Sequence, residues 1–425
     1  MDEIAELVLV PLLAVLAPLL VRLVDRWLAV PIVVLEILLG IALGPSGLDW
    51  VHPHPFLGAL ADFGLAMLFF VAGTEIDFRA VAGRPLRRAT LAWGISFLLA
   101  LGVGLLHFSG WESAIVIGVA LSSTALGAVL PILRDARLLG TPFGTAVSAV
   151  GAIGEFGPLV AISLFLGSRD LGTSSIVLFA FILVAVLLVW ISARVEHGRV
   201  HRLVAATLHT TGQFAVRLIL LIIAALVALS LLLGLDMLLG AFAAGVLWRI
   251  IIARAPARDR ELVESKVDGV AFGFLVPVFF IETGVGFDLR ALTAEPWLLA
   301  LVPALLLALF VVRGLPAQLA APPGSSPGDR ARLALYAATG LPLIVAVTAI
   351  ARDAGLLSAG LASALVAAGM LSVLLFPVLA SFGRRRTEVE SALEASVAPA
   401  GTHDGGGARP STPSGRSGAD ADGGE

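Results

Sequence analysis

The sequence predicts an all-α polytopic membrane protein of about thirteen transmembrane helices, built as an inverted-topology repeat with broken helices crossing at the midplane. Three observations lead there. Of its 425 residues, 58% are hydrophobic and only 14% are Asp, Glu, Lys or Arg, with a mean hydropathy of +1.00; a soluble chain carries roughly 25% charged residues. The apolar residues fall in stretches of bilayer length, and the loops between them alternate between rich and poor in arginine.

The candidate spans lie near 4–24, 29–44, 57–74, 88–107, 112–133, 141–168, 172–193, 215–233, 235–253, 268–287, 296–319, 330–351 and 358–382. Met1–Glu6 has no basic cluster and no small-residue cleavage site follows, so the first stretch reads as a retained span rather than a cleaved signal. Loops after odd-numbered spans carry Arg84, Arg87 and Arg88, then Arg134 and Arg137, then Arg249, Arg258, Arg260 and Lys266, and finally Arg384, Arg385 and Arg386. Loops after even-numbered spans carry only Arg169, Arg290 and Arg352. Positive charge stays in the cytoplasm, which places the N-terminus outside, the C-terminus inside, and the chain in the plasma membrane.

The repeat is visible in the residues. The third span, FGLAMLFFVAGTEIDFRA, resembles the tenth, FGFLVPVFFIETGVGFDLRA. Phe69 and Phe70 match Phe279 and Phe280; Gly73, Asp77 and Arg79 match Gly284, Asp288 and Arg290. The second and ninth spans share Leu-Leu-Gly at 38–40 and 238–240. Matched spans are seven apart, and an odd offset inverts orientation in the membrane.

The sixth span holds one acid, Glu155, roughly 21 Å along the helix from residue 141. A charge at the centre of a span costs roughly 2.5–3.5 kcal/mol on insertion scales, so an acid kept there points to ion or proton work. Gly151, Gly154 and Gly157 thin this helix, and Pro158 frees a backbone carbonyl near the acid. In the fifth span Ser122, Ser123 and Thr124 precede Gly127 and Pro131; in its counterpart, the twelfth, Thr339 precedes Gly340 and Pro342. Both read as helices broken halfway, whose ends and hydroxyls suit a hard cation. Glu155, Ser122, Ser123 and Thr124 are therefore the expected ion and proton ligands, with Glu155 holding the monovalent cation. Glu36, Glu282, Arg313 and Thr339 are candidates for the ion path or for charge pairing. For Arg313, pairing and snorkelling both fit the sequence.

Other chemistries lack their residues. The chain has no cysteine, which excludes disulfides and thiolate sites. Its histidines fall in loops, at span ends or in the tail, and no nucleotide, phosphate-loop or nucleic-acid motif is present. Residues 1–383 form the expected transmembrane domain. Residues 384–425, rich in Gly, Ser, Pro and Asp, are expected to be a disordered cytoplasmic tail.

Several segments in order resemble the bacterial cation:proton antiporter family that includes potassium-efflux and sodium/proton exchangers. VPIVVLEILLGIALGPSGL (30–48) resembles its P-x-x-x-x-E-x-x-x-G-x-x-x-G-P signature, and ADFGLAMLFFVAGTEID (61–77) its G-x-x-x-L-x-F-x-x-G-x-E segment. ALSSTALGAVLPIL, LLGAFAAGV and VPVFFIETGVGFDL are similar to its broken helix and late segments. The resemblance covers about residues 29–382 and implies a homodimer whose core moves against a scaffold like an elevator. Members usually carry Asp after Asp, Asn or Gln on the ion-site helix, where this chain has Gly154-Glu155.

The leading expectation is secondary antiport of Na+ or K+ against protons, with no cofactor. A single carrier, Glu155, makes exchange electroneutral; Glu282 is the candidate for a second. The alternatives are a sodium-coupled solute symporter on a similar repeat, or an intramembrane enzyme. An enzyme needs paired catalytic groups at one depth, and no span offers HExxH, a His or Lys within the membrane, or a pair of aspartates.

Overall fold

The structure is a computed structural model that describes residues 3–24, 30–76, 78–107, 110–166, 171–194, 213–253 and 255–397. Asp77 and Arg169, invoked above for the repeat and the orientation, and residues 398–425 of the tail lie outside the described residues. All described secondary structure is helical. In chain order the helices are α1 (Glu3–Val24), α2 (Ile32–Leu43), α3 (Pro55–Glu75), α4 (Phe78–Val81), α5 (Arg84–His107), α6 (Trp111–Ser122), α7 (Leu126–Asp135), α8 (Pro142–Phe165), α9 (Leu171–Arg194), α10 (Phe214–Leu232), α11 (Met237–Ile252), α12 (Ala257–Val270), α13 (Val276–Val285), α14 (Leu289–Ala294), α15 (Pro296–Ala308), α16 (Leu315–Ala317), α17 (Pro327–Ala338), α18 (Pro342–Asp353) and α19 (Ala359–Val397). π-Helical turns join α12 to α13 at Ala271–Leu275 and α15 to α16 at Leu309–Gly314.

Among the described residues, nine helical runs are long and apolar enough to cross a membrane. Four further spans expected from the sequence are shorter apolar helices: Val8–Leu23, Ile32–Leu43, Gly172–Leu188 and Met237–Ile252.

Local sequence sets the helix starts. Thr141 caps α8 by accepting the Gly144 amide, with Pro142 in the first turn. Ser326 and Asp329 form a reciprocal capping box before α17. The two helix breaks lie where the hydroxyl and Gly/Pro clusters predict them. Ser123–Ala125 separates α6 from α7, and Thr339–Leu341 separates α17 from α18.

Burial divides the helices into two kinds. The broken helix Trp111–Arg134 and α8 are each 72% buried, and the broken helix Pro327–Asp353 is 78% buried; Arg84–His107 and Phe214–Leu232 are 33% and 28% buried. The broken pair, α8 and the stretch Ala359–Ser381 of α19, also 72% buried, therefore form the interior. α5 and α10 turn Leu98, Leu106, Leu221 and Leu232 outward, the placement that lipid rewards.

The repeat recurs in the packing. α2 packs on α13, and its counterpart α11 packs on α3. A Cβ on Gly40 would strike the Ile281 carbonyl and Gly284; one on Gly73 would strike the Phe242 carbonyl and Gly245. Glycine is required at both crossings because backbone meets backbone. The packing pairs Gly40 with Gly245, whereas the Leu-Leu-Gly match points to Gly240, which instead packs on α10 at Leu226.

Contacts divide the chain into Met1–Arg384 and Arg385–Glu425. The last helix reaches Val397, whereas composition places a disordered tail from 384. The Arg, Glu and Ala of 384–397 favour helix, and no Gly or Pro interrupts them before Pro399.

Candidate functional site

The site forms where the two breaks meet on α8. The extended residues of each break leave amides and carbonyls without helical partners; Ser372 bonds the amide and the carbonyl of Gly340, and three bonds tie the first break to its neighbours. The Ala125 amide donates to the Thr339 carbonyl, 2.7 Å, tying break to break. The Thr124 hydroxyl donates to the Ala337 carbonyl, 2.6 Å. The Thr124 amide donates to the Gly154 carbonyl, 3.0 Å. That last acceptor is free because Pro158, four residues on, has no N–H to claim it. The carbonyl expected from the sequence thus carries the contact between broken helix and α8.

Glu155 is the next residue along α8. Its Oε1 accepts the Leu126 amide, 2.8 Å, at the first residue of α7. A carboxylate on a helix N-terminus is favoured by the orphan amides and by the helix dipole. The other oxygen, Oε2, is buried with no hydrogen-bond partner. Glu155 as a whole is 6% exposed.

Arg313 completes the centre and does not snorkel; its partners among the described residues are neutral oxygens rather than a carboxylate, and its Nη1 is buried with no hydrogen-bond partner. It is 0% exposed. Its Nε donates to Thr124 Oγ1 and its Nη2 to the Val150 carbonyl, each 2.8 Å. The π-helical turn Leu309–Gly314 carries it; such turns locally shift the side-chain register. Gly154 makes the room. A Cβ there would lie 2.5 Å from Arg313 Nη2 and 2.6 Å from Thr124 Cβ and Oγ1. Glycine at 154, unusual by resemblance, is what the arginine and the break require here.

The other predicted residues separate into near and far groups. Ser122 and Ser123 hydroxyls donate to the Val119 and Ala120 carbonyls, 3.4 and 2.9 Å, within the end of α6. Thr339 donates to the Leu335 carbonyl, 3.1 Å, so its own carbonyl is the part that reaches the other break. Glu36 is buried in α2, which packs chiefly on α1 and α13. Glu282 lines a different cavity, described below.

Sequence reasoning passed over Glu75, at the end of α3. Its Oε2 is buried with no hydrogen-bond partner and would lie 3.6 Å from a Cβ on Gly127. The Leu126–Gly127 backbone thus stands between two carboxylates, and Glu75 is the charged group that acts on Glu155. The G-x-E segment quoted for the family resemblance contained the signal. What hid it was its place at the very end of a span, where an acid is ordinarily solvated.

Two cavities flank this centre. The first, about 430 Å³, is lined by Glu75, Leu126, Arg134, Arg249, Glu264 and Asp268 among others, and so reaches the amide that holds Glu155. Three acids against two arginines favour cation entry. The second, about 280 Å³, is lined by Asp62, Glu282, Thr283, Gly286, Arg352 and Asp353 among others, and includes no residue of either break.

Crossed breaks, a buried carboxylate on a half-helix and an acidic funnel agree with the comparisons. Residues 12–381 match the family described as sodium/hydrogen exchanger, transmembrane. The chain belongs to this family. It is 28% identical over 393 residues to a putative Na+/H+ antiporter, YjbQ, of Bacillus subtilis, covering 88% of this chain and 62% of that one. It is 24% identical over 284 residues to an Na+/H+ antiporter of Enterococcus hirae, covering 62% and 69%. It is also 28% identical over 351 residues to the glutathione-regulated potassium-efflux system protein KefC of Cronobacter sakazakii, covering 79% and 54%. The aligned region thus spans about 62% of the Bacillus protein's length. The solved structure of the sodium proton antiporter MjNhaP1 from Methanocaldococcus jannaschii superposes with a TM-score of 0.62 at 18% identity, covering 89% of this chain and 96% of that one. The likeness establishes a shared fold.

Proposed function

We propose that this protein is a secondary antiporter exchanging a monovalent cation, Na+ or K+, for protons, without a cofactor and without enzymatic chemistry. The observation that carries the reading is Glu155: one oxygen fixed by the N-terminus of α7, the other buried and unpartnered. A proton or a cation satisfies that oxygen, and the two exclude each other. Mutual exclusion at a carrier that faces one side at a time is antiport.

In this reading the cation's oxygen shell combines Glu155 and Glu75 with oxygens of Ser122 and Ser123, whose hydroxyl protons are turned onto carbonyls. Thr124 braces the shell through Arg313 and the Gly154 carbonyl. Glu75 serves as a ligand and Glu155 as the single proton carrier. Glu155 then carries one proton or one cation, and exchange is electroneutral. The core formed by the broken helices and α8 moves like an elevator against a scaffold containing α2, α3, α11 and α13. The protein works as a homodimer in the plasma membrane, N-terminus outside and C-terminus in the cytoplasm.

The test is proton flux in proteoliposomes, read by a pH dye on addition of Na+, K+ or Li+. Glu155→Gln should fold and abolish the cation-dependent signal. Glu75→Gln should retain it with an apparent KM raised roughly tenfold, the loss of one charged ligand. Full cation-dependent flux in Glu155→Gln would overturn the assignment.

A further inference from the structure

The downstream halves of the two broken helices end in the same way. Arg134-Asp135-Ala136 closes α7 and Arg352-Asp353-Ala354 closes α18; in the same register Ala128, Val129 and Ile132 match Ala346, Val347 and Ile350. The caps coincide too. The Ala136 amide donates to the Ile132 carbonyl and the Ala354 amide to the Ile350 carbonyl, both at 3.0 Å.

What the arginines touch differs. Arg352 Nη1 donates to the Gly286 carbonyl just beyond α13, 2.7 Å. It thereby joins a broken helix of the interior to a helix of the surrounding set, beside the second cavity. The counterpart of α13 is α3. Gly286 lies two residues beyond Gly284, and the residue two beyond the matching Gly73 is Glu75. Arg134 faces that end of α3 across the first cavity. Its charge acts on Glu75 and on Asp268, but no hydrogen bond joins its side chain to α3 among the described residues. The larger cavity, which reaches the Glu155 centre, lies on the side where the arginine is not fastened.

We infer that Arg134 and Arg352 are alternating latches. Each fastens the end of one broken helix to the end of α3 or α13, and each keeps the cavity on its own side from reaching the breaks. In the state seen here Arg352 is fastened to Gly286, and only the cavity beside Arg134 reaches the Glu155 centre. In the opposite state Arg134 donates to the end of α3 around Glu75, and Arg352 releases Gly286. The pseudo-symmetry requires this pairing: exchanging the conformations of the two halves carries one contact into the other. Both arginines are exposed, so either latch is weak. A weak latch biases the two states without trapping one.

The inference rests on the alternating-access reading above. Its test uses the absence of cysteine from the chain, which lets one introduced thiol report alone. Ser148→Cys reports the first cavity and Thr283→Cys the second, by labelling rate with a polar maleimide on the full-length protein in nanodiscs. Arg352→Ala should slow labelling at position 148 and speed it at 283, each by about threefold, the size of one exposed charged contact. Arg134→Ala should do the reverse, and the double variant should return toward the parent rates. Arg352→Lys, a milder change, should move both reporters in the same sense as Arg352→Ala but less. Equal labelling in all backgrounds, or shifts of the same sign in both alanine variants, overturns the latches. If the parent protein exchanges cations for protons while labelling does not shift, only this inference fails. If the parent shows no exchange, the transport reading fails first.

Discussion

Gly154→Ala adds one methyl group at the point where α8, the break and Arg313 converge. The new Cβ would lie 2.5 Å from Arg313 Nη2 and 2.6 Å from both Thr124 Cβ and Oγ1, about 1 Å inside ordinary contact. Neither neighbour retreats freely. Thr124 is tied by its amide to the Gly154 carbonyl at 3.0 Å and by its hydroxyl to Ala337 at 2.6 Å. Arg313 is tied to Thr124 and to Val150, each at 2.8 Å. Overpacking of one methyl group costs about 1–3 kcal/mol, and losing one buried hydrogen bond adds about 1 kcal/mol. The expected total is about 2–4 kcal/mol, against a helix-propensity gain for Gly to Ala of about 1 kcal/mol. The assay is thermal unfolding of the purified protein in nanodiscs, with cation-driven proton flux measured on the same preparation. Gly154→Ala should melt several degrees lower and lose at least tenfold in exchange rate. Gly94→Ala in α5 meets nothing within 4 Å and should match or exceed the parent in both. A Gly154→Ala variant with parental melting and parental exchange would refute the claim that this glycine accommodates the brace.

Further outcomes follow from the same geometry. Pro158→Ala restores an amide that competes with Thr124 for the Gly154 carbonyl; the helix gains a bond while the break loses about 1 kcal/mol of anchoring, so cation KM should rise several-fold without loss of melting temperature. Arg313→Met removes a buried charge, which is often neutral or stabilising, so the protein should stay folded in a melting assay while exchange falls more than tenfold. At acid pH, competition at the single carrier Glu155 should raise the apparent cation KM by up to about tenfold per pH unit. With the potential clamped by potassium and valinomycin and sodium as test ion, the rate should not vary with voltage; a steep variation would show a second charge moving.

Much of the site was legible because membrane sequences state polar exceptions plainly. Glu155 stood out as the acid within an apolar helix, and Pro158 announced a free carbonyl because a missing N–H is a local fact. The hydroxyl and Gly/Pro clusters located both breaks, since helix interruption depends on nearby residues. The repeat could be read from spans seven apart. Glu75 was passed over and Arg313 left undecided for the same reason: each lies near a span end in the sequence, where a charged residue ordinarily meets water or headgroups.

The sequence alone determined the membrane class, the interrupted helices, the inverted repeat and the buried acid, because these follow from composition, period and single-residue backbone rules. Only the tertiary structure decided what each polar group meets. It paired the Pro158-freed Gly154 carbonyl with the Thr124 amide, turned Arg313 inward through a π-helical turn onto a space that glycine leaves, and brought Glu75 to the backbone that holds Glu155. It also sent Glu282 to the other cavity. Those contacts join residues from 29 to 189 positions apart, and no local pattern encodes which helix face turns to which neighbour. That choice belongs to packing, where glycines set how closely backbones approach and so which side chains share a space.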